Sequence, residues 1–139
     1  MTKNNQTPIV IRPGKPADAE SVHAMIQPFV QQSFLLDRSR EEIEALTPYS
    51  VVAEDNGQLV GFAAVEIYSR KLAEIQCLAV AATHQSHGIG KRLVESCVEI
   101  AAAHNVLELM AISSSDGFLK ECGFDYSLPG QKRALFFNP

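Results

Sequence analysis

The most informative stretch of the sequence is HQSHGIGKRL, from His84 to Leu93. It follows an apolar run, Ile75 to Ala82, and precedes apolar residues at helical spacing, so it marks the point where a strand passes into a helix. The first turn of a helix carries unpaired backbone N–H groups and the positive end of the helix dipole. Because glycine permits positive φ and close approach to the backbone, Gly88 and Gly90 indicate a phosphate site here.

Two familiar phosphate-binding motifs are absent from this stretch. Gly-x-x-x-x-Gly-Lys-Ser/Thr fails because Arg92 follows Lys91, and Gly-x-Gly-x-x-Gly fails because position 93 is leucine. The pattern that remains is Gln-x-x-Gly-x-Gly, formed by Gln85, Gly88 and Gly90. By itself this pattern has a plain alternative, a glycine turn that only packs a helix against a strand.

The bulk properties of the chain limit the class of protein. A length of 139 residues suits one domain, and a hydrophobic content of 46% is enough for a core. The net charge of -4 argues against a nucleic-acid surface, which is usually basic. The polar start MTKNNQT resembles no signal peptide, and no apolar stretch approaches the ~20 residues of a membrane span. We expect one domain, 1–139, in the cytoplasm, with reduced cysteines and no membrane or nucleic-acid partner.

Local patterns predict the order of the elements. The first half predicts a strand over Pro8–Pro13, a helix capped by Asp18 that Pro28 ends or kinks, a short helix opened by the capping box SREE (39–42), and a hairpin turning at Asn56-Gly57. The second half predicts strands over Leu72–Ala82 and Val106–Ile112, a helix from Gly90 to about His104, a short helix in SDGFLKECGF ending at Gly123, and a last strand in KRALFF (132–137). Because strands and helices do not alternate strictly, we expect a mixed sheet with helices on both faces.

Three motifs in this order resemble the GNAT-type N-acetyltransferase superfamily: AEIQCLAV (73–80), QSHGIGKRL (85–93) and GFLKECGF (117–124). The resemblance covers nearly the whole chain. It implies an α/β (α+β) fold with a mixed, mostly antiparallel central sheet, acyl transfer to an amine, acetyl-CoA as the acetyl donor, and no metal. The segment SFLLDRSREEIEAL (33–46) is similar to the acetyltransferase domain of amino-acid N-acetyltransferases, the N-acetylglutamate synthases.

The resemblance also implies where the cofactor binds. Backbone groups after the central strand would hold the pantetheine arm and the pyrophosphate, and the N–H of Leu78 would polarise the thioester carbonyl. The implied cofactor-binding residues are Leu78, Ala79, Val80, Gln85, Ser86, His87, Gly88, Ile89, Gly90, Lys91 and Phe118.

Glu74 is the candidate general base because it is a carboxylate in an otherwise mostly apolar strand and matches a catalytic glutamate of the family. The alternative is that Glu74 only faces solvent. The position at which many members carry a tyrosine general acid is Leu119 here. Tyr126 or Cys122 would replace it, or the thiolate would leave unassisted, since a thiol titrates near ~8.5.

The resemblance places the acceptor near Arg38 and Arg133, whose guanidinium groups suit a carboxylate. It implies a small-molecule amine as the partner, best an amino acid such as L-glutamate, as in arginine biosynthesis. Another small amine, a protein lysine or a protein N-terminus is the second interpretation. A CoA-binding sensor or subunit without catalysis is the third, and a homodimer is left open.

Overall fold

A five-stranded sheet organises the chain in the computed structural model, which describes residues 8–113, 116–126 and 135–139. The strands are β1 (Val10–Pro13), β2 (Ser50–Asp55), β3 (Gln58–Ile67), β4 (Leu72–Val80) and β5 (Glu108–Met110), and they lie in that order across the sheet. β1 to β4 are antiparallel neighbours, and β5 runs parallel to β4. The expected mixed, mostly antiparallel sheet is therefore confirmed.

Helices cover both faces of this sheet. The helices are α1 (Ala19–Gln31), α2 (Arg40–Leu46), α3 (Ile89–Ala103) and α4 (Asp116–Glu121). One core cluster joins α3 to the sheet through Leu93, Val94 and Cys97, and another joins α1 and α2 to it through Val22 and Ile43. Successive strand residues point to opposite faces, so Val51 packs on the α3 side and Val52 on the α1–α2 side. No helix in the described ranges has the length and apolar character to cross a bilayer.

Several local predictions are confirmed. Ser39 caps α2, since its hydroxyl accepts from the N–H of Glu42, and the Glu42 carboxylate accepts from the N–H of Ser39. Asn56 (φ 54°) and Gly57 (φ 84°) both adopt positive φ in the β2–β3 turn, as a two-residue hairpin turn requires. Gly123, with φ of 94°, follows the end of α4.

The first helix differs from its prediction in two ways. α1 continues past Pro28 to Gln31, so of the two predicted outcomes, an end or a kink at Pro28, the end is wrong. The missing N–H of Pro28 removes one helical bond, while Phe29 and Val30 beyond it still pack against the core. Asp18 stands at the start of α1 but makes no side-chain capping bond to it. Its carboxylate instead pairs with Arg12 and accepts from the N–H of Lys15.

The strands at the C-terminal end are shorter than predicted. β5 covers Glu108–Met110 rather than Val106–Ile112, because it pairs with β4 only at Leu72–Glu74. Of the strand predicted in KRALFF, residues 132–134 lie outside the described residues, and Leu135–Phe137 form no strand.

Candidate functional site

The second half of β4 has an open edge. β5 pairs with Leu72, Ala73 and Glu74, and no described strand pairs with Gln76–Val80 on that side. The N–H of Ala81 donates to the carbonyl of Val60 at 2.8 Å, so in an antiparallel ladder the backbone groups of Val80 point away from β3. An extended ligand could therefore bond to β4 as an additional strand would.

A β-bulge lies in β4 at the start of this open edge. Gln76 pairs with Ala64 and Ala79 pairs with Phe62, so β4 has one residue more than β3 between these pairs. Cys77 adopts a φ of 59° there. Sequence reasoning missed the bulge, because a cysteine in an apolar run carries no signal for positive φ.

The bulge reverses which side chains face which helices. Before it, Ala73 and Ile75 pack on the α3 side, and after it Cys77 and Ala79 pack on the α1–α2 side. By alternation, Glu74 and Gln76 face α1 and α2, whereas Leu78 and Val80 pack against the α3 cluster. The strand thus presents polar side chains to one face just before its backbone edge becomes open.

The loop after β4 ends in a helix N-terminus with free donors. Gly88 precedes α3 with a φ of 79°, and Ser86 has a φ of 67°. The first bond of the helix runs from the N–H of Arg92 to the carbonyl of Gly88, at 3.2 Å. The N–H groups of residues 89–91 therefore have no carbonyl to bond within the helix and can hold an anion.

The two glycines of this loop serve different purposes. A Cβ on Gly90 would lie 3.3 Å from Cζ of Phe118, so Gly90 allows α4 to pack closely on α3. A Cβ on Gly88 would meet no atom within 4 Å, so Gly88 is needed for its positive φ. The packing alternative considered for the glycine pattern thus applies to Gly90, while Gly88 shapes the donor loop. Phe118 is half-buried beside Gly90.

Side chains brace this loop against the sheet. Nε2 of Gln85 donates to the carbonyl of Val80 at 3.0 Å. Nε2 of His84 lies 2.7 Å from Oδ2 of Asp55, at the β2–β3 turn, and its Nδ1 lies 2.7 Å from Oγ1 of Thr83. Nδ1 of His87 lies 3.3 Å from the carbonyl oxygen of His84. No group of three or more His, Cys, Asp or Glu side chains arranged for a metal occurs in the described ranges.

Five polar residues meet on the α1–α2 side of the strands, and we call Arg38, Glu66, Tyr68, Glu74 and Gln76 the polar cluster. Arg38 donates to Oε1 of Gln76 at 2.6 Å. Nε2 of Gln76 lies 3.1 Å from Oε1 of Glu66, 3.2 Å from Oε1 of Glu74 and 3.2 Å from the Tyr68 oxygen. Tyr68 donates to Oε1 of Glu74 at 2.6 Å.

The electrostatics of the polar cluster favour a protonated Tyr68. Its hydrogen bond to Glu74, together with burial and the charges of Glu74 and Glu66, raises the pKa of Tyr68 to about 12. Next to the cluster, burial raises the pKa of the Cys77 thiol, and Arg38 opposes that effect. Tyr68 is therefore a hydrogen-bond donor to Glu74 throughout the neutral range, and Cys77 is an uncharged core residue.

Sequence reasoning named Arg38 and Glu74 but missed Glu66, Tyr68 and Gln76. The sequence did contain a signal for these residues. In VEIY (65–68) and AEIQ (73–76), which lie on either side of the turn between β3 and β4, two polar residues stand two positions apart. Polar residues two apart share a face of a strand. Glu66 pairs directly with Glu74 in the β3–β4 register.

The remaining predicted residues are dispersed or undescribed. Leu119 is buried in the core, and Tyr126 is 63% exposed, with Nζ of Lys120 4.2 Å from its ring centre. Burial raises the pKa of Cys122, which makes that thiol a weaker acid. Arg133 lies outside the described residues.

Two surface clefts lie near the C-terminal end of α3. One, of about 480 Å³, is lined by β1, β2 and α3 residues that include Arg12, Ser50 and Glu99. The other, of about 410 Å³, lies between Tyr49, His104 and Tyr68, and Tyr68 is its one lining residue from the polar cluster.

Comparison with known proteins identifies relatives over most of the chain. The sequence model of the acetyltransferase (GNAT) family matches residues 19–124. The uncharacterized N-acetyltransferase CT2212 of Chlorobaculum tepidum is 32% identical over 114 residues, which are 82% of this chain and 74% of that protein. The amino-acid acetyltransferase of Neisseria meningitidis is 33% identical over 118 residues, which are 84% of this chain. The matched part is 27% of that longer protein, so this chain corresponds to little more than a quarter of it.

Solved structures share the same architecture. N-acetylglutamate synthase from Neisseria gonorrhoeae, complexed with coenzyme A and N-acetyl-glutamate, matches with a TM-score of 0.74 and 31% identity, covering 83% of this chain and 27% of that one. Rv2747 from Mycobacterium tuberculosis, in complex with CoA and NLQ, matches with a TM-score of 0.77 and covers 90% of this chain and 76% of that one. At 20% identity the second likeness concerns the fold alone.

Proposed function

The chain belongs to the GNAT family of N-acetyltransferases, acyltransferases that take the acetyl group from acetyl-CoA, and we propose that its acceptor is the α-amino group of an amino acid, with L-glutamate the best candidate. The proposal treats residues 1–139 as one catalytic domain acting in the cytoplasm. It is supported by relatives named amino-acid acetyltransferase, at 33% identity over most of this chain.

The observation that carries the proposal is the meeting of Arg38 and Glu74 in the polar cluster. Both bond to the same side chain, Gln76, on one face of β4. An amino acid presents a carboxylate and an ammonium group a few ångströms apart. A guanidinium for the carboxylate and a carboxylate for the ammonium are the complementary pair. Arg133 is proposed as a second contact for the acceptor.

The proposed cofactor position uses the open edge of β4 and the loop that follows. The pantetheine arm lies along Leu78, Ala79 and Val80 in this proposal. At Val80 the carbonyl accepts from Gln85, and the N–H is proposed to donate to the cofactor. The pyrophosphate is bound by backbone N–H groups between Ser86 and Lys91, including those of His87, Gly88, Ile89 and Gly90, beside Phe118.

The proposed reaction has three steps on these residues. Glu74 accepts a proton from the acceptor ammonium, directly or through water, and frees the nitrogen lone pair. The nitrogen attacks the thioester carbon, and the N–H of Leu78 stabilises the oxyanion that forms. The C–S bond then breaks, the nitrogen releases its second proton to water as the neutral amide forms, and the CoA sulfur leaves as a thiolate, which Tyr126 protonates or which leaves unassisted.

The experiment that tests the proposal is a panel of acceptors offered to the protein with acetyl-CoA. Release of the CoA thiol is measured with glutamate, aspartate, glutamine, a polyamine and a lysine-containing peptide, against acetyl-CoA alone. We expect glutamate to give the highest kcat/KM. If only the polyamine or the peptide is acetylated, the family assignment stands and the proposed amino-acid acceptor is refuted. Binding of acetyl-CoA without any acceptor-dependent release would favour the non-catalytic sensor.

A further inference from the structure

Gln76 occupies the centre of the polar cluster. Its side chain accepts one hydrogen bond from Arg38 at 2.6 Å. Its Nε2 lies within 3.2 Å of oxygens on Glu66, Tyr68 and Glu74. It is therefore the one side chain of the cluster that contacts all four of the others.

The direction of the Gln76 amide follows from the chemistry of its neighbours. A guanidinium only donates hydrogen bonds, and an ionised carboxylate only accepts them. The amide oxygen must therefore face Arg38, and the NH₂ group must face Glu66 and Glu74. A reversed amide would place two donors against each other at Arg38 and two acceptors against each other at the carboxylates. The amide is thus held in one orientation.

The side-chain amide of Gln76 is uncharged, and it therefore affects Arg38 differently from a carboxylate at the same position. A carboxylate at position 76 would form an ion pair with Arg38 and occupy its charge. The amide oxygen orients the guanidinium without neutralising it, so the charge of Arg38 stays available for an anionic group. On its other side the NH₂ group separates two carboxylates that stand opposite each other on β3 and β4.

We propose that Gln76 is a positioning residue that holds Arg38 and Glu74 in a fixed relation, so that the group binding the acceptor carboxylate and the group removing the acceptor proton are aligned. The inference rests on the proposed function and extends it to a residue that touches neither reacting atom. Its specificity role is to keep the site selective for acceptors that carry a carboxylate.

The test compares Gln76→Glu and Gln76→Met with the wild type in steady-state kinetics. In Gln76→Glu the new carboxylate competes for Arg38, so we expect the KM for L-glutamate to rise about tenfold or more. Gln76→Met keeps the side-chain volume but loses every hydrogen bond, so we expect a smaller rise in that KM and a lower kcat. The KM for acetyl-CoA should stay within about twofold in both.

Two controls separate positioning from general damage. Gln27→Glu makes the same charge change on a half-buried glutamine that bonds only to His23, one turn away in α1. It should leave both KM values unchanged. In an Arg38→Met background, Gln76→Glu should add no further increase in the glutamate KM, because the charge it would neutralise is gone.

The outcomes that overturn the inference are distinct from failure of the proposed function. If Arg38→Met raises the glutamate KM and Gln76→Glu does not, Gln76 is not a positioning residue, and the amino-acid acceptor stands. If Gln76→Glu raises both KM values equally, its effect is a general distortion and the inference is refuted. If the wild type acetylates no amino acid, the proposed function fails, and this inference fails with it.

Discussion

The hydroxyl of Tyr68 donates a hydrogen bond of 2.6 Å to Oε1 of Glu74. This bond, together with burial and the charges of Glu74 and Glu66, raises the pKa of Tyr68 to about 12. The raised pKa means that the contact stabilises the fold fully below the ordinary phenol value near ~10, and that this stabilisation is lost as the pH rises through the folded value. The contact can therefore be tested by titration, independently of any activity.

We expect Glu74→Gln to return the pKa of Tyr68 toward its ordinary value, because the anionic acceptor that favours the protonated phenol is gone. The measurement is the ultraviolet absorbance of tyrosinate as a function of pH. The chain has three tyrosines, so Tyr68→Phe identifies the titration step that belongs to Tyr68. A Glu66→Gln control should have the smaller effect, since Glu66 lies 3.4 Å from the hydroxyl. An unchanged titration in Glu74→Gln would show that the two side chains do not interact in solution.

Glu74→Gln should also lower kcat/KM for the acceptor, most at low pH. There the amine is almost entirely protonated, and the reaction depends on a base to remove the proton. The expected loss is about a hundredfold or more at the low end of the profile, with partial recovery at high pH, where free amine is abundant. The measurement is a pH profile of kcat/KM for wild type and variant. If the pH profiles of wild type and variant have the same shape, Glu74 is not the general base.

Arg38→Lys should raise the KM for L-glutamate about tenfold and leave the KM for acetyl-CoA unchanged. A lysine keeps the charge but loses the fork that bonds a carboxylate twice. The loss of one charge-assisted bond corresponds to roughly 1.5–3 kcal/mol. Arg40→Lys is the matched control, since Arg40 is exposed and lies 3.9 Å from Glu20. Equal effects of the two substitutions would contradict a specific role for Arg38.

Gly88→Ala should weaken CoA binding, whereas Gly57→Ala should not. Both glycines have positive φ, and both have open space where a Cβ would stand, so each alanine adds backbone strain of roughly 1 kcal/mol without a clash. The strain at Gly88 acts on the donor loop, and the strain at Gly57 acts on the β2–β3 turn. Calorimetry should give a Kd several-fold higher for Gly88→Ala alone. A wild-type Kd in that variant would mean that the loop does not bind the cofactor.

Asp18→Asn should destabilise the protein at neutral pH but not in acid. Arg12 bonds both carboxylate oxygens of Asp18, at 2.9 and 2.8 Å, and this lowers the pKa of Asp18. A lowered carboxyl pKa contributes stability above the unfolded value near ~3.9, and the contribution is lost as the pH falls through the folded pKa.

Urea unfolding at several pH values measures this contribution. We expect a loss of about 2 kcal/mol in the free energy of unfolding at pH near 7, converging with the wild type at the lowest pH. Asp37→Asn, on an exposed carboxylate, is the control and should change little. A difference that persists unchanged into acid would rule out the ion pair as its source.

Local signals in the sequence account for most of the elements and for the place of the glycine loop. The Asn56-Gly57 turn and the capping box at Ser39 appear where their patterns predict them, and α3 begins at Ile89, one residue before the predicted Gly90. Each depends on the conformational preferences of a few adjacent residues or on a hydrogen bond spanning three positions. Such preferences are nearly the same in any fold, so the sequence alone determines them.

Which side chains come into contact at the site depends on the tertiary structure. Arg38 and Gln76 are 38 positions apart, and they meet because α2 and the loop before it pack on one face of β4. The bulge at Cys77 and the early end of the β4–β5 pairing depend on how each strand fits its neighbour. These features follow from the packing of whole elements, in which many weak contacts are satisfied together, and no stretch of a few residues encodes that balance.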